Sequence, residues 1–365
     1  MKGDQRNIYP GGNTPLGFYS YYNYILPQRK AEKIYCIKGG PGSGKSTLMK
    51  KTGEYFLNKG EDVDYLWCSS DPDSLDGILL PDRGVAVIDG TAPHVTDPVN
   101  PGAVDKIINL GMFWDEEKLR NSRNEIIACS ERTAIMFGFA YKYLEIASMH
   151  YSFIEKLMDE LADEEMIIRI SEELCRQVRS GKEKDGRKGS VKKMFASAIT
   201  PRGLKNGLNS LCGTLEKLIT LELPVGFRSE KILRPAADKL VREGCNIEEY
   251  YCPVDPLNKL EHIIIPSEKT GIFTCNKYHY TDKSDELFGL KIAENSADNN
   301  MKYCIITEQQ AEAENNIMKA VEMLKYAKRE HDNIEKYYID AMDFEGLESV
   351  FSRTVCEIEK IKPRK

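Results

Sequence analysis

Within IKGGPGSGKSTLMKK (residues 37–51), Gly39, Gly44, Lys45 and Ser46 are spaced as G-x-x-x-x-G-K-[ST], the pattern of a phosphate-binding loop. Glycine lets backbone N–H groups converge on phosphate oxygens without side-chain obstruction. The helix that follows adds the partial positive charge of its N-terminus. Residues Gly39, Gly40, Pro41, Gly42, Ser43, Gly44, Lys45, Ser46 and Thr47 are therefore expected to hold ATP. In that arrangement Lys45 reaches the β- and γ-phosphates, Ser46 gives its hydroxyl to Mg²⁺, and Thr47 lies near the α-phosphate. Asp89 follows VAVI at a strand end, where P-loop enzymes place a carboxylate that holds Mg²⁺. Ser46 and Asp89 are thus the expected metal ligands, with Lys45 and Asp89 as catalytic candidates. The competing reading for Asp89 is a capping residue in an Asp-Gly turn.

The elements that must position these residues follow from hydrophobic period. Residues 33–37 form a short apolar strand, 46–58 a helix, and 63–67 a second strand. GILLPDRGVAVID predicts a hairpin whose second arm ends in Asp89. From residue 115 to 179 the sequence turns helical and charged, with Glu and Lys three and four apart, and residues 308–361 repeat this. Only about four strands per half are legible.

The chain is written twice. TPLGFYSYYNYI at Thr14 matches TPRGLKNGLNSL at Thr200, and NKGEDVDYLWCSSDP lies over VREGCNIEEYYCPVDP with Gly60 on Gly244 and Cys68 on Cys252. LDGILLP matches LEHIIIP, His94 meets His279, and FIEKLMDEL resembles NIEKYYIDA. All these matches fall in order at shifts of 180 to 186 residues. The expected fold is therefore α/β: tandem duplicated P-loop NTPase-like domains, each a small sheet followed by a long helical hairpin. Residues 1–179 form the P-loop domain, 180–193 (SGKEKDGRKGSVKK) a solvated linker, and 194–365 the second copy. The halves either share a sheet or pack as an intramolecular pseudo-dimer.

The second copy serves as an internal control. GGPGSGKST falls over LPVGFRSEK, so Leu223 replaces Gly39, Pro224 replaces Gly40, Arg228 replaces Gly44, Ser229 replaces Lys45 and Glu230 replaces Ser46. A carboxylate at a helix N-terminus satisfies the dipole and repels phosphate, and Pro224 lacks a backbone donor. The second Walker A motif is degenerate. Thr274 stands where Asp89 does, so Lys45, Ser46 and Asp89 are lost together. Ser69, Ser70 and Asp73 also vanish, becoming Pro253, Val254 and Leu257. This makes Asp73 the candidate general base, with Glu54 behind it. Asp71 and Pro72 persist as Asp255 and Pro256 and suit a turn. His94 and His279 persist as packed residues or as parts of a site between halves. FYSYYNY (18–24) suits aromatic core packing, with adenine stacking as the alternative.

The chain resembles a family of duplicated P-loop ATP-binding proteins (ATPases) of Gram-positive bacteria with no assigned substrate. The likeness covers nearly the whole length, through GFYSYYNYILPQ, IKGGPGSGKSTLMKK, CSSDPDSLDG, VIDGTAPHVTDPVNPGAVDKIINLG and FASAITPRGL. It implies ATP binding and hydrolysis. Relatives carry a recognisable second loop, from which Arg228, Ser229 and Glu230 depart.

Three functions are compatible with these residues. The first is an Mg-dependent ATPase whose nucleotide state moves the helical hairpins against each other or against a protein partner. Arg202, Arg228 or Arg234 would then be presented across the interface. The second is a kinase passing the γ-phosphate to a nucleotide or other small-molecule acceptor, since VIDGTAPH resembles DG-x-P-R. The Arg-rich lid of such enzymes is missing, with Arg83, Arg120 and Arg123 the nearest approach. The third is a nucleotide-dependent scaffold. Charge bounds the partners: 51 Lys+Arg against 57 Asp+Glu, net -6, argues against a general nucleic-acid binder. No apolar run approaches the ~18–20 residues of a membrane span, and the N-terminus lacks a signal-peptide core. Ten cysteines without a C-x-x-C pair suit free thiols in a reducing cytoplasm.

Overall fold

The computed structural model describes residues 2–91, 97–178, 188–281, 284–290 and 297–364, so His94 lies outside the described residues. In chain order the first half runs β1 (Gln5–Ile8), β2 (Gly11–Thr14), β3 (Gly17–Ser20), β4 (Lys33–Lys38), α1 (Lys45–Asn58), β5 (Val63–Trp67), β6 (Leu75–Leu80), β7 (Val85–Asp89) and β8 (Asp105–Asn109). Helices α2 (Glu116–Asn121), α3 (Arg123–Leu161) and α4 (Glu164–Gln177) follow. The second half runs β9 (Val191–Met194), β10 (Ser197–Thr200), β11 (Gly203–Asn206), α5 (Leu208–Gly213), β12 (Lys217–Glu222), α6 (Glu230–Arg242), β13 (Ile247–Cys252), β14 (Asp255–Ile265), β15 (Thr270–Cys275) and β16 (Glu286–Gly289). It ends in α7 (Ala297–Ala341) and α8 (Phe344–Glu359).

Two separate six-stranded mixed sheets result, ordered β1-β5-β6-β7-β4-β8 and β9-β13-β14-β15-β12-β16. The halves therefore share no sheet, and each has eight strands among the described residues, six in its sheet and two in a small hairpin, where about four were expected. The missed strands are the short outer ones, whose sequences lack a continuous apolar run. β1 is QRNI, and β8 is DKIIN with Ile107 exposed. β4 sits inside the first sheet, paired in parallel with β7 and β8, so Ile34 to Ile37 are all buried. β9 takes up the last residues of the expected linker, pairing Val191 with Ile247 as β1 pairs Gln5 with Val63. Two equivalent small hairpins, β2–β3 and β10–β11, close with the same turn. The Thr14 hydroxyl donates to the Gly17 carbonyl at 2.7 Å and Thr200 to Gly203 at 2.8 Å, each glycine in the left-handed region.

The helices depart from the expectation of a hairpin within each half. α3 lies along α7 of the other half, joined by Ala140, Leu144, Ala320 and Leu324. The small residues let the two backbones approach closely. After two-residue breaks capped by Asp163 and Asp343, the last helix of each half crosses over. α4 packs on α6, with Ile167, Ile170 and Leu174 entering the second sheet's core. α8 packs on α1, with Val355 and Ile358 joining Leu48, Phe56 and Leu57. Between the sheets, Tyr9 and Phe195 exchange backbone N–H···O bonds of 3.0 Å in both directions. Tyr21 and Tyr22 are buried, Tyr21 with its ring 4.9 Å from Phe195 and 5.7 Å from Tyr251. The FYSYYNY segment is thus core packing between the halves.

Arg6 closes this interface. Its guanidinium donates to Asp64 at 2.6 and 2.7 Å and to Glu248 at 2.9 Å, all three side chains largely buried. Burial pushes Glu248 up, but Arg6 and Lys192 overcome this and hold its carboxyl down at about 2. That contribution to stability is present above pH ~4.5 and is lost as pH falls toward 2, because the unfolded carboxyl binds the proton first. Replacing one member of a buried pair strands the other charge and typically costs about 3–5 kcal/mol. Arg6→Met is expected to lower the denaturant midpoint by a corresponding amount. Glu248→Gln should flatten the acid limb of stability between pH 5 and 3; an unchanged limb would assign that limb to other carboxylates.

Candidate functional site

The nine residues from Gly39 to Thr47 form the turn between β4 and the start of α1. Gly42 and Gly44 hold φ of 68° and 87°, a region that other residues enter only with strain. Lys45 folds back on the loop, donating to the carbonyls of Gly39 and Gly40 at 2.8 Å each, with Nζ 3.6 Å from Asp89 Oδ2. β7 pairs in register with β4, Ile37 opposite Asp89, which carries this buried carboxylate beside the loop. Asp89 Oδ1 accepts from the Thr91 N–H at 2.8 Å, and the Thr91 hydroxyl donates to Gly39 O at 3.0 Å. Asp89 therefore does cap the turn that follows it, while its other oxygen stays turned to Lys45. Ser46 Oγ accepts from Leu75 N–H at 3.0 Å and keeps a second lone pair and its proton. Ser43 is buried, its hydroxyl donating to Gly40 O.

The donor set suits a magnesium-bound triphosphate: backbone amides at a helix start, an ammonium, a hydroxyl and one buried carboxylate, all on hard oxygen and nitrogen atoms. Ser69 and Ser70 add two buried hydroxyls without a hydrogen-bond partner, just after β5. Asp73 lies two residues before Leu75, whose N–H meets Ser46. It is exposed, and both its oxygens accept from Arg202 of the β10–β11 turn, Oδ1 at 2.9 Å. This hydrogen bonding lowers the Asp73 carboxyl below its usual range, which weakens it as a proton acceptor. Of the three arginines expected to cross the interface, Arg202 meets the first half's Asp73. Arg228 holds Glu230 and Asp159, the latter at the end of α3, and Arg234 holds Glu249 and Tyr251.

Residues that sequence reasoning missed come from α7. The loop glycines lie directly against it: a Cβ on Gly40 would overlap the Tyr338 ring, and one on Gly44 would press on Leu347 of α8. Lys328 Nζ stands 3.5 Å from Asp71, and His331 Nδ1 stands 3.7 Å from Glu335. Burial pushes the His331 imidazole below its ordinary range, so it stays neutral at pH 7. These side chains recur three and four apart on one face, a pattern that sequence alone assigns to a solvated helix. Only the crossover of α7 and α8 brings that face over a loop nearly 290 positions earlier.

In the second half, β12 and β15 pair with Leu221 opposite Thr274, the same register that sets Ile37 opposite Asp89. Gly226 is left-handed like Gly42, and a Cβ there would overlap Ile154 of α3. His279 is buried in a cluster with Glu261 and His262, its Nε2 3.5 Å from Glu261. His262 Nδ1 accepts from the Thr274 N–H at 3.2 Å, so the neutral ring carries its proton on Nε2. That leaves no lone pair on Nε2 for a cation, and the trio is a polar core cluster. All ten cysteines are free thiols, with Cys304 and Cys356 exposed.

No protein-family model matches the chain, and no curated protein or solved structure matches it significantly. Among the described residues, no helix is long and apolar enough to cross a membrane.

Gly42→Ala tests the seating of the loop. Its Cβ would meet the Glu335 carbonyl oxygen and Ile339 Cγ1 at 2.9 Å, and its φ would be strained. A backbone oxygen cannot swing aside, so a loss of roughly 1–3 kcal/mol is expected in thermal unfolding. Gly138→Ala, where nothing lies within 4 Å, should be neutral or slightly stabilising.

Proposed function

We propose that the chain is an intramolecular pseudo-dimer of two P-loop-like halves, in which the first binds ATP with Mg²⁺ and hydrolyses it. The nucleotide state is relayed to the paired helices α3 and α7. The observation that carries this reading is the seating of Gly40, Gly42 and Gly44 against the α7–α8 elbow. That elbow is in turn tied to the first half by backbone bonds: Asp115 N–H to Ala341 O and Asp343 N–H to Phe113 O, each 2.7 Å. A loop that opens to admit phosphate must displace helix backbone.

In this reading Gly39 to Thr47 hold the phosphates, Lys45 leaves the Gly39 and Gly40 carbonyls to neutralise them, and Ser46 and Asp89 hold the metal. Bound Mg²⁺ supplies charge neutralisation on the leaving phosphate oxygens. Lys328 and Arg202 add positive charge from the second half. His331, neutral with Nδ1 not hydrogen-bonded, replaces Asp73 as the group to receive the proton of an attacking water. The Arg202–Asp73 pair instead latches the β10–β11 turn to the loop after β5. An unidentified protein reading the helix pair fits this coupling better than a small acceptor.

Three variants test the assignment by phosphate release and binding of a fluorescent ATP analogue. Lys45→Ala is expected to lose both binding and release. Asp89→Asn should keep metal-free nucleotide binding while losing the gain that Mg²⁺ brings. His331→Gln should keep ATP affinity and lower turnover by about 10²-fold or more. If wild type binds ATP yet converts it to ADP only when a small-molecule acceptor is supplied, with the phosphoryl group carried on the acceptor and no phosphate released, the protein is a kinase. Hydrogen exchange across residues 330–347 is expected to change on adding ATP with Mg²⁺, and no change there would sink the relay.

A further inference from the structure

The second half contains a cavity of about 690 Å³ at the position equivalent to the nucleotide loop of the first. Gly226, Phe227 and Glu230 line it from the loop before α6, Thr274 from β15, and Tyr151 and Glu155 from α3. Its charged side chains differ from the first site's. Lys45 sits on the first loop, and Lys328 and Arg202 pair with Asp71 and Asp73 after β5, whereas the counterparts of these three cations here are Ser229, Ser148 and Leu16. The Arg202–Asp73 ion pair has become Leu16 and Leu257, 58% and 55% exposed, both on the cavity wall.

Carboxylates now outnumber cations: Glu155, Glu230, Asp255, Glu261 and Glu314 against Arg228 and Lys259. Lys259 lies 3.6 Å from Glu155 and within the field of Glu230 and Glu261, while Glu314 is paired with Lys277 and Glu230 with Arg228. Two polar atoms of lining residues have no hydrogen-bond partner. They are Ser197 Oγ, on a residue 1% exposed, and Glu230 Oε2, whose other oxygen accepts from Arg228 at 2.9 Å. An ionised carboxylate oxygen can only accept, and a buried orphan of this kind costs free energy that a ligand donor would recover.

We propose that this cavity binds a small organic cation, an amine carried on an apolar ring or chain. Its N–H groups meet Glu230 Oε2 and Ser197 Oγ, and its apolar part lies on Leu16, Leu257 and Phe227. The site thus takes the charge opposite to that of a nucleotide, and it does so between α3 and the second sheet, where occupancy bears on the same helix pair.

The test uses the full chain and a matched pair of probes sharing one ring system, tryptamine and indole-3-acetate, titrated calorimetrically up to roughly 5 mM. Tryptamine is expected to bind wild type at least about tenfold more tightly than indole-3-acetate, and to lose about tenfold or more in Glu230→Gln. Ser197→Ala should weaken it too, which keeps a readout if Glu230→Gln unfolds. Lys45→Ala should leave tryptamine affinity unchanged, separating this site from the nucleotide site. No tryptamine binding, equal binding of the indole acetate, or full affinity in both cavity variants would overturn the assignment.

Discussion

The rest of the structure depends on the exchange of terminal helices between the halves. Each sheet leaves an apolar face, over α1 in one half and α6 in the other, that its own helices do not cover. Leu174 and Val178 reach one core from the first half, and Val355 and Ile358 reach the other from the second. Separating the halves would expose those side chains along with Ala140, Leu144, Ala320 and Leu324 of the α3–α7 seam, and burial of such apolar area dominates folding. Small domains also gain disproportionately from shared burial. The reciprocal Tyr9–Phe195 bonds then fix the relative orientation, because only one placement satisfies both backbone pairs.

The same exchange produces two unlike sites from one plan. Each loop before the first long helix meets the other half's long partner, α7 over Gly40 and Gly42, α3 over Gly226. What differs is charge. The first has Lys45 at its helix start beside Asp89, with Lys328 and Arg202 paired to Asp71 and Asp73 after β5. The second places Glu230 at that helix start and answers it with Arg228. A carboxylate there takes over the dipole interaction that a bound anion would otherwise make, so the helix start keeps its stability.

Much of this was legible in the chain itself. Local rules sufficed for β4, β5, β7 and α1, whose apolar periods and glycine punctuation are strong. The duplication also placed Thr274 at the position equivalent to Asp89, and strand register independently agrees, with Leu221 opposite Thr274 as Ile37 is opposite Asp89. The edge strands β1 and β8 escaped because edge positions tolerate polar residues such as Arg6 and Asp105, whose partners are distant in sequence. The helix crossover escaped for a deeper reason. An amphipathic stripe shows that a helix has a buried face and says nothing of which sheet that face will cover. The partner of Asp73 escaped for the same reason, since Arg202 is 129 positions away.

Rigidity decides how a local event at the loop can travel. Gly42 faces the backbone of Glu335, not the mobile end of a side chain. Packed interiors yield in discrete steps more readily than by continuous deformation, and a long helix moves largely as a unit. In the proposed relay, displacement at Glu335 would carry Leu324 and Ala320 with it, and these pack on Leu144 and Ala140 of α3. The other end of α3 rests on Gly226 and holds Asp159 against Arg228 and Lys231, beside the cavity. The two sites are thus joined by one continuous pair of helices, each end set against a loop. If the ligand of each loop prefers one seating of those helices, linkage makes the effect of each on the other's affinity the same factor.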